Sequence, residues 1–190
     1  MLLKNLKTKK GFTLVELMVS ISLFTIVMTI SMGSIFSVFN TNKKSESLRA
    51  VMDNLNFTLE AMTRTVRFGT NYHCDVTVGV ISVPRDCASG ADSFSVLDSN
   101  GQQVSYKLSG TRIARSINGG ADYFLTSSDV TIQKLKFFVF GSTLYSNGGD
   151  LFQPQVIMVI GGYAGSSNKP STQSTFTLQT TVSQRMFDSQ

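Results

Sequence analysis

Lys9-Lys10-Gly11-Phe12-Thr13-Leu14-Val15-Glu16-Leu17 is the stretch on which the reading of this 190-residue chain turns. Before Gly11 the sequence is short and basic, with Lys4, Lys7, Lys9 and Lys10 and no acid. Beyond it, the 26 residues from Leu17 to Asn42 carry no charge. As a helix that run would measure about 39 Å, whereas about 20 apolar residues cross a bilayer core. No proline interrupts it, and Gly33 is its one weak helix former of that kind. The run therefore reads as a bilayer-spanning helix. One carboxylate, Glu16, stands at its mouth, where a charge in lipid is costly enough to suggest a purpose. Thr13-Leu14-Val15-Glu16 also has the form of a capping box, with Thr13 as N-cap and Glu16 reaching back to it.

Charge sets the topology. Four lysines precede the span, and Lys43, Lys44 and Arg49 follow it, offset by Glu46. The more positive side stays in the cytoplasm. The chain is thus expected to cross the membrane once, with residues 43–190 outside, a length sufficient for one domain with its own core. Cys74 and Cys87 suit an exported compartment, where disulfides persist. As an even, exported pair they are expected to bridge, closing a loop of about 15 residues worth about 3 kcal/mol in the chain-entropy model.

Three readings compete for the span. A cleaved secretory signal would use Ser31-Met32-Gly33, but the apolar run continues past it to Phe39. A simple signal anchor explains the lysines and the span, and leaves Gly11-Phe12 and Glu16 without a role. The third is a resemblance. A basic leader, then Gly-Phe-Thr-Leu-Val-Glu, then an apolar helix resembles the processing site of type IV prepilins and type II secretion pseudopilins. In that family a dedicated prepilin peptidase cuts after the glycine, here Gly11, and methylates the new N-terminus, here Phe12. The resemblance implies that Glu16 is an assembly carboxylate, meeting the N-terminal amine of a neighbouring subunit. Glu16 lies four residues, one helical turn, from the amine that cleavage would expose on Phe12. Pairing the two lowers the cost of burying either charge.

The implied organisation is a cleaved leader at 1–11, a transmembrane and filament-core helix at 12–42, and an extracytoplasmic domain at 43–190. Implied partners are the peptidase, sibling pilins or pseudopilins, the membrane, and an inner-membrane assembly platform with its ATPase. After assembly the subunit would sit in a pilus or pseudopilus, in the periplasm or at the cell surface. The alternative is a signal-anchored exported binding domain that forms no filament. The formal charge of +5 invites a nucleic-acid partner. Loss of the four leader lysines would leave about +1, which counts against one.

Beyond the span, Leu48, Met52, Leu55, Leu59, Met62 and Val66 recur at steps of four and three, an apolar stripe with Asp53, Asn54, Glu60 and Arg64 opposite. The helix is expected to run from Thr13 to about Phe68, roughly 84 Å, with its stripe against a sheet and Gly69 as its stop. The period then changes to two. Val76, Val78 and Val80 suggest a strand, as do Phe94–Leu97, Val104–Leu108 and residues 112–117. Val130, Ile132, Leu135, Phe137 and Val139 suggest a long strand with a bulge near Lys134. Gln155–Tyr163 reads as buried on both faces, and Phe176, Leu178 and Val182 alternate in a last strand. Turns are expected at 98–101, 118–120, 146–150 and 165–174. The fold class is α+β, pilin-like: a long N-terminal helix, membrane-spanning in its first half, packed on an antiparallel sheet. The hairpin followed by Thr111–Ser116 and Ser128-Asp129-Val130 also resembles the minor, J-type pseudopilins.

Catalytic chemistry is missing from the pattern, and no enzyme is expected. His73, the single histidine, sits beside Cys74 in an expected loop and has no triad spacing around it. His73, Cys74 and Cys87 lack a fourth metal ligand. Asp98-Ser99-Asn100-Gly101 resembles part of a calcium loop, but Val96 stands where the first acid belongs. No phosphate loop or dinucleotide fingerprint occurs. No cofactor, metal or small-molecule substrate follows.

Overall fold

The computed structural model describes residues 11–77, 80–143, 152–164 and 173–185. The chain divides into two compact units between Lys43 and Lys44. Helix α1, Leu14–Phe68, contributes to both. In the first unit its side chains are exposed on every face.

In the second unit α1 is amphipathic. Val51, Leu55, Thr58, Met62 and Val66 are buried, at steps of four, three, four and four. Met52 and Leu59, expected within the stripe, pack on its flank, and Leu48 is half-buried. Burying each large apolar side chain contributes about 1.5–3 kcal/mol. Asp53, Glu60 and Arg64 face solvent as expected, but Asn54 does not. Its side-chain oxygen accepts the Ser127 N–H at 3.1 Å. The buried Thr58 hydroxyl shares its proton between the Asn54 carbonyl at 2.9 Å and the Leu125 carbonyl at 3.1 Å.

Among the described residues nine strands follow: β1 Thr70–Cys74, β2 Cys87–Ala91, β3 Ser93–Leu97, β4 Gln103–Ser109, β5 Arg112–Ile117, β6 Tyr123–Phe124, β7 Val130–Phe140, β8 Gln155–Ala164 and β9 Ser174–Ser183. They form two antiparallel sheets, with orders β1-β3-β4-β5-β6 and β2-β7-β8-β9, where the sequence suggested one. α1 and both sheets share one core. Phe94 of the first sheet stacks on Phe137 of the second with centroids 5.6 Å apart, and Tyr72 meets Phe94 edge-on.

The helix ends where three groups take its last carbonyls. Gly69 N–H and the Tyr72 hydroxyl donate to Val66 O, at 3.2 and 2.6 Å, and Arg185 N–H donates to Arg67 O at 2.8 Å. These satisfy acceptors the helix itself leaves open. Gly69 does stop the helix, but not through the left-handed conformation expected of a C-terminal glycine cap, since its φ is not positive. A side chain there would strike Val96 Cγ2 and come within 2.7 Å of Leu97 O. Close approach to β3 demands glycine at this point.

The strand expected at Val76–Val80 is absent where it is described. Val78 lies outside the described residues, Val76 and Thr77 form a turn, and Val80 is exposed. Alternating valines without a neighbouring strand to pair cannot satisfy their backbone. The β3–β4 turn is as expected: the Asp98 carboxylate accepts the N–H groups of Asn100 and Gln102 at 2.9 and 2.8 Å, and Gly101 takes φ 72°. Asn118 and Gly119, both at positive φ, turn β5. The expected turn at 146–150 lies outside the described residues, as does 165–172.

β7 shifts register between Ile132 and Lys134, where the bulge was expected, opposite Gly161 and Gly162 of β8. A side chain on Gly162 would collide with Thr131 O. β8 is not buried on both faces. It alternates, with Val156, Met158 and Ile160 in the core and Gln155, Ile157 and Val159 half-buried. β9 alternates as expected, with Phe176 and Val182 buried.

Candidate processing and assembly site

Gly11, Phe12 and Thr13 lie outside the helix, which begins at Leu14. Open space surrounds the position a Gly11 side chain would take, and Phe12 is 82% exposed. The Gly11–Phe12 peptide bond is thus held in non-helical, accessible backbone. Lys4, Lys7, Lys9 and Lys10 lie outside the described residues.

Thr13 caps the helix: its hydroxyl accepts the Glu16 N–H at 3.3 Å, and its carbonyl accepts the Leu17 N–H at 3.2 Å. Only half of the expected capping box forms. The Glu16 carboxylate makes no return bond to Thr13, and among the described residues it has no hydrogen bond or ion pair. Glu16 is exposed in the first turn, where the helix dipole favours an anion.

Much of the apolar segment's polar inventory is satisfied within the helix. Ser20, Ser22, Thr25, Thr29 and Ser31 each donate a hydroxyl proton to the carbonyl four residues earlier, at 2.8–2.9 Å. Such back-bonds keep hydroxyls satisfied where no water is present. Sequence reading passed over them, although a serine or threonine in an apolar helix always has that carbonyl within reach. Leu14, Leu17, Ile21, Phe24, Met28 and Ile35 are among the large apolar side chains left exposed.

In the second unit, Cys74 and Cys87 form a disulfide with Cα atoms 5.9 Å apart. It does more than close a loop. Cys74 ends β1 and Cys87 begins β2, so the bridge joins the two sheets. His73, expected in a loop, is buried in β1, and its Nδ1 lies 2.7 Å from the Val83 carbonyl. Asp98, the calcium-loop candidate, spends its carboxylate on the turn. Among the described residues no three His, Cys, Asp or Glu side chains converge as metal ligands.

Residues 6–32 match the family model described as the prokaryotic N-terminal methylation motif. No curated protein and no solved structure matches the chain. The matched segment spans Gly11, Phe12 and Glu16 and runs into the apolar part of α1, which is long and apolar enough to cross a membrane. At its N-terminus this chain carries the methylation motif of type IV prepilins and pseudopilins.

Proposed function

We propose that this chain is a structural subunit, a minor pilin or pseudopilin, of a type IV pilus or type II secretion-like filament. The leader at 1–11 is removed by prepilin peptidase between Gly11 and Phe12, and Phe12 is N-methylated. Residues 12–42 anchor the protein in the inner membrane and then enter the filament core, and residues 43–190 form the extracytoplasmic domain. Sibling subunits and an ATP-driven assembly platform are its partners. The observation that carries this reading is Glu16. It is a lone carboxylate at the start of an uncovered apolar helix, one turn from Phe12, and its charge has no partner among the described residues. Burying that charge among apolar helices without a partner would cost several kcal/mol, roughly, and an N-terminal amine supplies one.

The test has two stages. Mass spectrometry of membrane-extracted protein should find a chain starting at Phe12 with a methyl group of about 14 Da. Gly11→Val should leave the full chain in the inner membrane. Glu16→Ala should then leave cleavage intact and abolish incorporation into sheared filaments or sibling complexes. Glu16→Gln keeps the Thr13 cap, which does not use the carboxylate, and should fail as badly. A chain starting at Met1 would favour the signal-anchored alternative. Normal assembly of Glu16→Gln would remove the charge-pairing role.

A further inference from the structure

A sheet edge exposes unpaired backbone groups, a template for another strand. Three of the four edges here are closed or short. β1 turns its outward backbone to the loop that follows: Cys74 N–H donates to Arg85 O at 3.0 Å and Arg85 N–H to Tyr72 O at 2.8 Å. β2 is interrupted by a register shift, holds Gly90 at φ 82° and is tied to β1 by Cys87. β6 has two residues. β9 differs. It runs for ten residues, contains neither charge nor proline, and pairs with β8 along its whole length without a bulge. Among the described residues no backbone group beyond β8 bonds to it.

The sequence of β9 says what fits there. Its hydroxyl-bearing face is symmetric about Gln179. A second β9 laid antiparallel across a two-fold axis at Gln179 opposes Thr177 with Thr181 and Thr175 with Ser183 on one face. On the other it opposes Leu178 with Thr180 and Phe176 with Val182. Burial follows the same symmetry. Thr175, Thr177, Gln179, Thr181 and Ser183 are exposed, Leu178 and Thr180 are half-buried, and Phe176 and Val182 are buried. Core therefore meets core, and hydroxyl meets hydroxyl around a central amide pair. Such matched cross-strand pairs stabilise a sheet. An axis moved to Leu178 would oppose buried Phe176 with half-buried Thr180.

We propose that β9 is a self-pairing edge, through which two copies of this chain join their four-stranded sheets into one eight-stranded sheet with register centred on Gln179. The contact is isologous, each copy offering the same strand. It is separate from the assembly role given to Glu16 and does not depend on it.

Full-length protein in detergent micelles tests this. Gln179→Cys places a thiol opposite its own copy, and directly opposed residues lie about 4.5–5.5 Å apart at Cα, within disulfide reach. Mild oxidation should link most molecules into dimers. Thr175→Cys alone should not link, because its copy lies about 26 Å away along the strand, whereas Thr175→Cys mixed with Ser183→Cys should. Two charge variants fix the register without touching the core. Thr177→Lys with Thr181→Glu opposes unlike charges across the axis, and Thr177→Lys with Thr181→Lys opposes like ones. By sedimentation the second should self-associate about tenfold more weakly than the first. Equal self-association of the two charge variants overturns the proposal. So does a parent chain that stays monomeric while Gln179→Cys fails to link, which would assign the edge to another protein's strand or to none.

Discussion

Helix α1 is one element with two chemistries. From Leu14 to Lys43 its side chains are exposed on every face; from Val51 to Val66 every third or fourth residue is buried to 2% exposure or less. Both halves are rich in Leu, Met, Val, Phe and Thr, and both are helical, so helix propensity does not separate them. Charge does. The first half has Glu16 near its start and Lys43 at its end, with nothing between, while the second places Asp53, Glu60 and Arg64 on one side. The first half must find its apolar partner outside the chain, in lipid or in other helices; the second has found it within the fold.

The largest expected effect breaks that contrast directly. Leu55 is fully buried and Leu23 is 64% exposed. Leu55→Ala should cost about 3 kcal/mol, read as a lower urea midpoint for the second unit of the full chain in micelles. Leu23→Ala should stay within about 0.5 kcal/mol. Equal shifts would mean the first half is also packed within its own fold.

A comparable effect is expected at the disulfide. Replacing both Cys74 and Cys87 by Ala should lower domain stability by about 3 kcal/mol in the chain-entropy model. The far-UV signal of the apolar half in micelles should not change. Loss of helicity across the whole of α1 would show that the bridge supports more than the sheets.

The smallest effect tests how the buried half ends. Burial pushes the phenols of Tyr72 and Tyr106 up. A folded-state value above the unfolded one means stability is complete below the ordinary tyrosine value of about 10 and falls as pH rises beyond it, because the unfolded chain releases those protons first. Tyr72→Phe should flatten that alkaline fall in Tm. At neutral pH it should cost about 1 kcal/mol, the hydroxyl's bond to Val66 O. An unchanged alkaline slope would place Tyr72 outside the linkage.

What could be read in advance was local. Gly11, Phe12, Thr13 and Glu16 fall within six consecutive residues, and the motif needs no knowledge of the rest of the chain. β3 to β5 and β7 to β9 announce themselves through alternation and through turn residues such as Asp98 and Asn118. β1 and β2 do not. Thr70-Asn71-Tyr72-His73-Cys74 and Cys87-Ala88-Ser89-Gly90-Ala91 lack apolar alternation and are held by distant partners, β1 by β3 and β2 by β7. The division into two sheets was hidden for the same reason, since β2 skips four strands to reach its neighbour. Val76–Val80 misled because alternation measures only what a strand could bury, not whether a partner arrives.

The end of α1 has a mechanical consequence. Phe68 continues through Gly69 straight into β1, while Arg185, just past β9, donates to Arg67 O. Tension on the helix therefore divides at its last turn. One branch is covalent and enters the five-stranded sheet; the other is hydrogen-bonded and enters the four-stranded sheet. The two branches meet again at Cys74–Cys87, so neither sheet can be drawn away with the helix while the other is left behind.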